Sequence, residues 1–295
     1  MQYKLKTLAL LVLLSGLFLV VGSALGGQGG IAIALIMSLV MNVGAYWFSD
    51  KIVLAMHGAK PVPAEYSYLK SDLEHLSAKA GTPVPQLYWM ADVSPNAFAT
   101  GRDPKHGTVV VTQGLLDRLN PQEVKGVLAH ELGHILNRDT LISAVVAVMA
   151  SALMHFVHFF AFFGGANRGG ERGGNPILML VTVILAPFAA TLIQLGISRS
   201  REYLADETAA RLTGDPEALA SALQKISGEI QRETEHGEIE PQPGMAHLYI
   251  MSPMMGGDGL MSLFSTHPPV KERVKRLRQI SEDIFSSATK AVLTA

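Results

Sequence analysis

Cysteine is absent from all 295 residues. That excludes a disulfide-stapled scaffold and any metal site built on thiolates. Charge is also scarce. Only 17% of residues are Asp, Glu, Lys or Arg, against about 25% in an ordinary soluble domain. The 24 basic and 25 acidic residues leave a net charge of -1. No overall basic field exists to hold nucleic acid, which is excluded as a partner. Hydrophobic residues make up 48% and the mean hydropathy is +0.27. This composition points to a protein of the lipid bilayer.

The charges are missing in blocks. None lies between Lys6 and Asp50, where the apolar runs Leu8–Leu25 and Ile31–Phe48, 18 residues each, flank a Gly-rich turn at 26–30. Eighteen residues make roughly 27 Å of helix, close to a hydrocarbon core of about 30 Å. Residues 1–50 therefore read as a transmembrane hairpin. A cleaved signal peptide is the alternative, with Lys4 and Lys6 ahead of the apolar run. The second run follows too closely to favour it.

A second pair of gaps, Thr140–Asn167 and Gly173–Ser198, is joined by a Gly-rich loop carrying Arg168, Glu171 and Arg172. Residues 140–198 read as a second hydrophobic helical hairpin, or as helices buried without crossing. His155 and His158 are unusual on a lipid-facing helix, so one face meets protein or water. Lys4, Lys6, Lys51, Lys60, Arg138, Arg199 and Arg201 outnumber Arg168 and Arg172 across the proposed bilayer. By the positive-inside rule, both polar parts, 51–139 and 199–295, face the cytoplasm.

The first polar part predicts an amphipathic helix over Ala64–Ala80, strands at Gln86–Ala91 and Thr108–Thr112, and an extended piece at Asn96–Gly101. Asn120-Pro121-Gln122-Glu123 carries the signals that open a helix: an Asn cap, Pro in the first turn and Glu three residues after the cap. The second part predicts helices at about 197–212 and 216–232, a loop over 233–259, and a last helix from Pro268. The fold class is mainly α with a small β-sheet.

The string His130-Glu131-Leu132-Gly133-His134 carries the chemistry. On a helix, residues four apart share a face. Two imidazoles so placed can hold one zinc ion, with Glu131 beside the metal-binding face as general base for an attacking water. A catalytic zinc needs a third protein ligand and an open position. Position 140, where one known pattern places a further histidine, is Thr140. Without cysteine the ligand is His, Glu or Asp. The best local candidate is Glu202; Asp206, one turn on, can then orient a ligand histidine. Spacing alone equally fits an exposed helix face.

These residues carry a family resemblance. His130–Asp139, Ser198–Asp206, Asn96–Gly101 and Phe264-Ser265-Thr266-His267-Pro268-Pro269 resemble, in order, the HtpX family of bacterial membrane metallopeptidases, related to the CaaX-prenyl endopeptidases. The resemblance runs over essentially the whole chain and implies a zincin-like, membrane-anchored fold. It implies one Zn²⁺ on His130, His134 and Glu202, Glu131 as base and Asp206 as a supporting partner. It further implies a multi-pass protein of the bacterial inner membrane, cleaving proteins or peptides in stress-related quality control. His267 could stabilise a tetrahedral oxyanion or simply contact a helix N-terminus. Asn96–Gly101 could pair with an extended substrate or be a plain hairpin. His247 and the Met251, Met254 and Met255 cluster receive no role.

Two rival functions are weaker. An intramembrane-cleaving protease sits poorly with Asp117, Arg118, Glu123 and Lys125 just ahead of His130, which place the motif at the membrane surface. An idle membrane scaffold has no need of Glu131.

Overall fold

The computed structural model describes residues 2–145, 148, 199–235 and 268–293. Helix α1 (Gln2–Met56) is broken at Gly27, whose φ of 58° and ψ of -137° favour a residue without Cβ. Its two arms fold back on one another, and Asn42 Nδ2 donates to Ser15 Oγ at 2.7 Å across 27 residues. The arm Gly27–Met56 has a mean hydropathy of 1.9 over its most apolar window, only 17% of which is buried. Among the described residues it alone is long and apolar enough to cross a membrane; the shorter Leu11–Ser23 precedes it. The outward side chains of Ile36, Leu39 and Val40 are each 64% exposed, as a lipid-facing surface requires.

The second arm runs past Phe48, where the sequence predicts the apolar run to end. The reason is packing. Val53 is fully buried in one cluster with Met90, Phe98 and Val110. The helix therefore continues beyond the apolar run into the polar part of the molecule.

That part is built on a four-stranded sheet of β1 (Lys60–Pro61), β2 (Gln86–Met90), β3 (Ala97–Thr100) and β4 (Thr108–Thr112), in the order β1-β2-β4-β3. β2 and β4 are parallel, with Gln86 opposite Thr108 and Met90 opposite Thr112. β3 is antiparallel to β4, with Ala97 opposite Val111 and Thr100 opposite Thr108. The continuous apolar run of β4 follows from burial on both faces. Val110 points with Phe98 towards α1. Val109 and Val111 point with Ala97 and Ala99 towards the helices on the other side. The two-residue β1 and the short α3 (Gln113–Arg118) carry no signal in the sequence reading. Ala64–Tyr66 is a turn of 3₁₀ helix ahead of α2 (Ser67–Ala80), where the sequence predicts one helix throughout. Asn96–Gly101 contributes β3 at the end of the sheet order among the described residues, and Ala97, Phe98, Ala99 and Thr100 are all buried.

Helix α4 (Pro121–Leu136) starts as its sequence predicts. Asn120 Oδ1 accepts from the backbone N–H groups of Gln122 and Glu123 at 3.0 Å, and Glu123 Oε2 accepts from Asn120 N–H at 2.9 Å. Glu123 also accepts from Ser221 Oγ at 2.6 Å and Lys225 Nζ at 2.9 Å. These come from α6 (Pro216–Glu235), so the cap also ties two helices together. α5 (Arg199–Thr213) and α7 (Val270–Leu293) complete the layer, and α5, α6 and α7 pack on α4 or on one another. Residues 146–147 and 149–198, which hold nearly all of the predicted second hairpin with His155 and His158, lie outside the described residues.

Candidate metal centre

His130 and His134 lie one turn apart on α4, and their Nε2 atoms are 3.2 Å apart with the rings edge-on at 89°. Glu202, in the first turn of α5, faces both. Its Oε2 is 3.7 Å from His130 Nε2 and its Oε1 is 3.5 Å from His134 Nε2. α4 and α5 can approach this closely because of Gly133. A Cβ there would meet Ala205 Cα at 3.1 Å, Ala205 O at 3.2 Å and Thr208 Cβ at 3.3 Å.

Among the described residues this is the one group of three candidate metal ligands, with donor atoms all within 4.8 Å of one another. Donors about 2.0–2.2 Å from one tetrahedral ion stand roughly 3.3–3.6 Å apart. The two Nε2 atoms at 3.2 Å, with one Glu202 oxygen 3.5 Å from His134 and the other 3.7 Å from His130, lie close to that spacing. Two neutral nitrogens and one carboxylate oxygen are also the donor chemistry of a zinc site.

Each imidazole has a carboxylate on its far nitrogen. Asp206 Oδ1 is 3.0 Å from His130 Nδ1, and Asp139 Oδ2 is 3.5 Å from His134 Nδ1. Asp139 also faces Arg201 Nε at 3.3 Å. A carboxylate at Nδ1 holds the proton there and leaves the Nε2 lone pair directed at the centre. Glu131, 2% exposed, lies beside this set and is hydrogen-bonded by the backbone of Ala99 on β3.

Arg273, from the first turn of α7, is fully buried against the same groups. Its Nε donates to Asp206 Oδ2 at 2.9 Å and its Nη2 to Asp206 Oδ1 at 2.7 Å. Nη1 stands 3.5 Å from Glu202 Oε2. The sequence reading missed both Arg273 and Asp139. Arg273 hides among Lys271, Lys275, Arg276 and Arg278, where a basic run reads as a solvated face. The usable signal was its position in the apolar stripe of Val270, Val274 and Leu277.

Burial and neighbouring charge shift His130, Glu131, His134, Asp206 and Arg273. Burial pushes His130 down to about 4, and Arg273 and His134 add to the push against the pull of Asp206. Burial also opposes the charged form of His134, but the carboxylates of Glu202, Asp139 and Glu131 outweigh it and hold the ring up at about 9. Burial raises Glu131 to about 7. Burial works against an ionised Asp206, yet the Arg273 guanidinium holds its carboxyl below the usual range. To hold a divalent cation, His130 and His134 would both have to present an unprotonated Nε2.

His267 and His247 lie outside the described residues, as do Met251, Met254 and Met255. The structure brings together His130, Glu131, His134, Glu202 and Asp206.

Comparison with known proteins places this geometry in context. The pattern of peptidase family M48 matches residues 63–281. The chain is 46% identical over 286 residues to the protein named Protease HtpX homolog of Syntrophobacter fumaroxidans, covering 95% of this chain and all of the relative. It is 46% identical over 276 residues to Protease HtpX of Legionella pneumophila, covering 93% of this chain and 98% of the relative. In fold it is similar to the crystal structure of S. mikatae Ste24p, with a TM-score of 0.51 at 20% identity. That match covers 94% of this chain but 65% of the Ste24p chain, so the present chain spans just under two thirds of that length.

Proposed function

Because the chain belongs to peptidase family M48 and is a metallopeptidase, we propose that it is a zinc-dependent endopeptidase anchored in the bacterial cytoplasmic membrane. Its substrates are membrane or membrane-associated proteins, misfolded ones among them, cut from the cytoplasmic side. Residues 1–50 serve as a transmembrane hairpin and 140–198 as a second hydrophobic helical hairpin, while 51–139 and 199–295 build the site. The observation that carries this reading is the convergence of His130, His134 and Glu202 from two helices onto one point.

His130, His134 and Glu202 hold the metal, one ion per chain. Bound zinc lowers the pKa of water towards about 7 and polarises a carbonyl. Glu131 takes the proton of the attacking water and delivers it to the departing amine nitrogen, so its carboxylate is restored each turnover. Ala99 N–H steadies that carboxylate against β3. Asp206 and Asp139 keep the imidazoles turned with Nε2 inward. His267 is assigned to the oxyanion, on the support that Arg273, six residues later, reaches the centre.

The test is Glu131→Gln in detergent-solubilised protein. It keeps about one zinc per chain and loses roughly 10²–10⁴-fold in cleavage of an unstructured protein. Wild-type turnover by this variant rules the assignment out.

A further inference from the structure

We infer that Arg273 is a positioning residue of the metal centre: it clamps Asp206 through two parallel hydrogen bonds, so that Asp206 fixes the orientation of His130. This inference rests on the metal-centre reading proposed above. Three observations carry it.

The first is geometry. Nε and Nη2 of Arg273 meet the two oxygens of Asp206 at 2.9 and 2.7 Å, a fork-on-fork pairing that fixes the carboxylate plane. The same carboxylate then meets His130 Nδ1 at 3.0 Å. Nη2 itself lies 3.4 Å from both nitrogens of that ring, so the guanidinium packs on the imidazole as well as on its partner.

The second is burial. Arg273, Asp206, Glu202, Glu131 and His130 are all nearly or fully buried. A guanidinium is costly to bury and is retained only where its charge is matched and its donors are used. A core-filling role in the stripe of Val270, Val274 and Leu277 calls for an apolar side chain.

The third is charge. Glu131, Glu202 and Asp206 bring three carboxylates to one dry volume, and Arg273 brings one cation, while Asp139 is paired with Arg201. The remainder is two negative charges, which one divalent ion balances. Without Arg273 the set carries an excess charge, and Asp206 loses the fork that fixes its plane. The metal centre therefore draws on three helices. α4 and α5 supply its ligands, and α7 supplies the residue that keeps one ligand aligned.

The experiment measures zinc affinity of the purified full-length chain by chelator competition. It compares wild type, Arg273→Gln, Arg273→Lys, Asp206→Asn and the Arg273→Gln, Asp206→Asn double variant. Melting of each metal-free protein and the visible spectrum of each Co²⁺-substituted protein are recorded alongside. Loss of a partner of this kind weakens metal binding by roughly 10–100-fold. Arg273→Gln shows such a loss, and its Co²⁺ bands shift because His130 is no longer held. The double variant binds no more weakly than the weaker single variant, since both act through one contact. Arg273→Lys, with charge but no fork, recovers only part of the affinity, and it carries the test if the Gln variant does not fold.

Wild-type zinc affinity and unshifted Co²⁺ bands in a folded Arg273→Gln or Arg273→Lys protein overturn the inference. So do losses that multiply in the double variant. A merely structural role lowers the metal-free melting temperature and leaves affinity and spectrum unmoved. Failure of the metal-centre reading itself appears separately, as wild-type protein whose zinc binding is indifferent to His134→Ala.

Discussion

Gly133 decides whether a third ligand is available at all. The side chains of His130 and His134 are placed by α4 alone, and any helix with that spacing supplies them. Glu202 arrives only because α5 lies against the bare backbone at 133, with Ala205 and Thr208 in the gap a Cβ would enter. Overpacking of this kind costs roughly 1–3 kcal/mol. Gly133→Val should lower the melting temperature and strip zinc from the purified protein, because α5 moves and carries Glu202 with it. Gly133→Ala needs only a few tenths of an ångström from its neighbours and should keep the fold. Full zinc occupancy in the valine variant contradicts this account of the close approach. Residue by residue, the centre is half legible in the sequence. The histidine pair and Glu131 announce themselves by spacing. Glu202 and Asp206 show as a carboxylate pair of the right period. Asp139 and Arg273 do not, because their roles depend on which helix lies beside which, and a short sequence window holds no such information.

At the scale of elements, the N-terminus of α4 is both a cap and a junction. The Asn120 and Glu123 exchange was readable from four consecutive residues. The clamp from Ser221 and Lys225, about a hundred positions on, was not. Burial alone would raise the Glu123 pKa, but hydrogen bonds from Lys225, Ser221 and Asn120 reverse the sign and depress it. A carboxyl depressed in the folded state adds stability that is present above its unfolded pKa, near 4.3, and lost as the pH falls through the folded value. Lys225 is 48% exposed, so solvent screens its share to roughly 0.5–1 kcal/mol at neutral pH. Lys225→Met should therefore melt slightly earlier than wild type at pH 7, with the difference shrinking as the pH drops below about 4. Parallel melting curves at both pH values would show that Lys225 contributes nothing through Glu123. The strands illustrate the same division. β2 and β4 are visible as β-branched or aromatic runs. The two residues of β1 form a strand only because β2 lies beside them.

For the whole molecule, the chain order of the ligands constrains topology. His130 and His134 precede residues 140–198 and Glu202 follows them, yet all three converge. Whatever path 140–198 takes must bring the chain back to the side it left. With cysteine absent, single reporters can be introduced cleanly at the exposed Ser71 and Glu217, one in each polar part. In intact cells, a membrane-impermeant thiol reagent should label neither and should label both after lysis. Labelling of one and not the other breaks the shared centre and with it the role of Glu202. The same architecture explains why the membrane boundary was only approximately readable. Hydropathy falls at Ser49 and Asp50, but α1, bent at Phe48, continues to Met56, because Ile52 and Val53 find apolar partners in protein instead of lipid.

That continuation sets a height. Five residues separate Phe48 from Val53, roughly 7.5 Å along a helix, and Val53 is packed into the core shared by the sheet and both arms of α1. β3 and β4 lie against that core on one face and against α4 on the other. With Ile31–Phe48 held in a bilayer, the cutting site stands off the lipid plane at a distance fixed by side-chain packing. A protease on a flexible stalk sweeps a volume and selects by sequence. Under the proposed function, one mounted in this way would act as a ruler, and the bonds it met would be those that a protruding chain presents at that elevation.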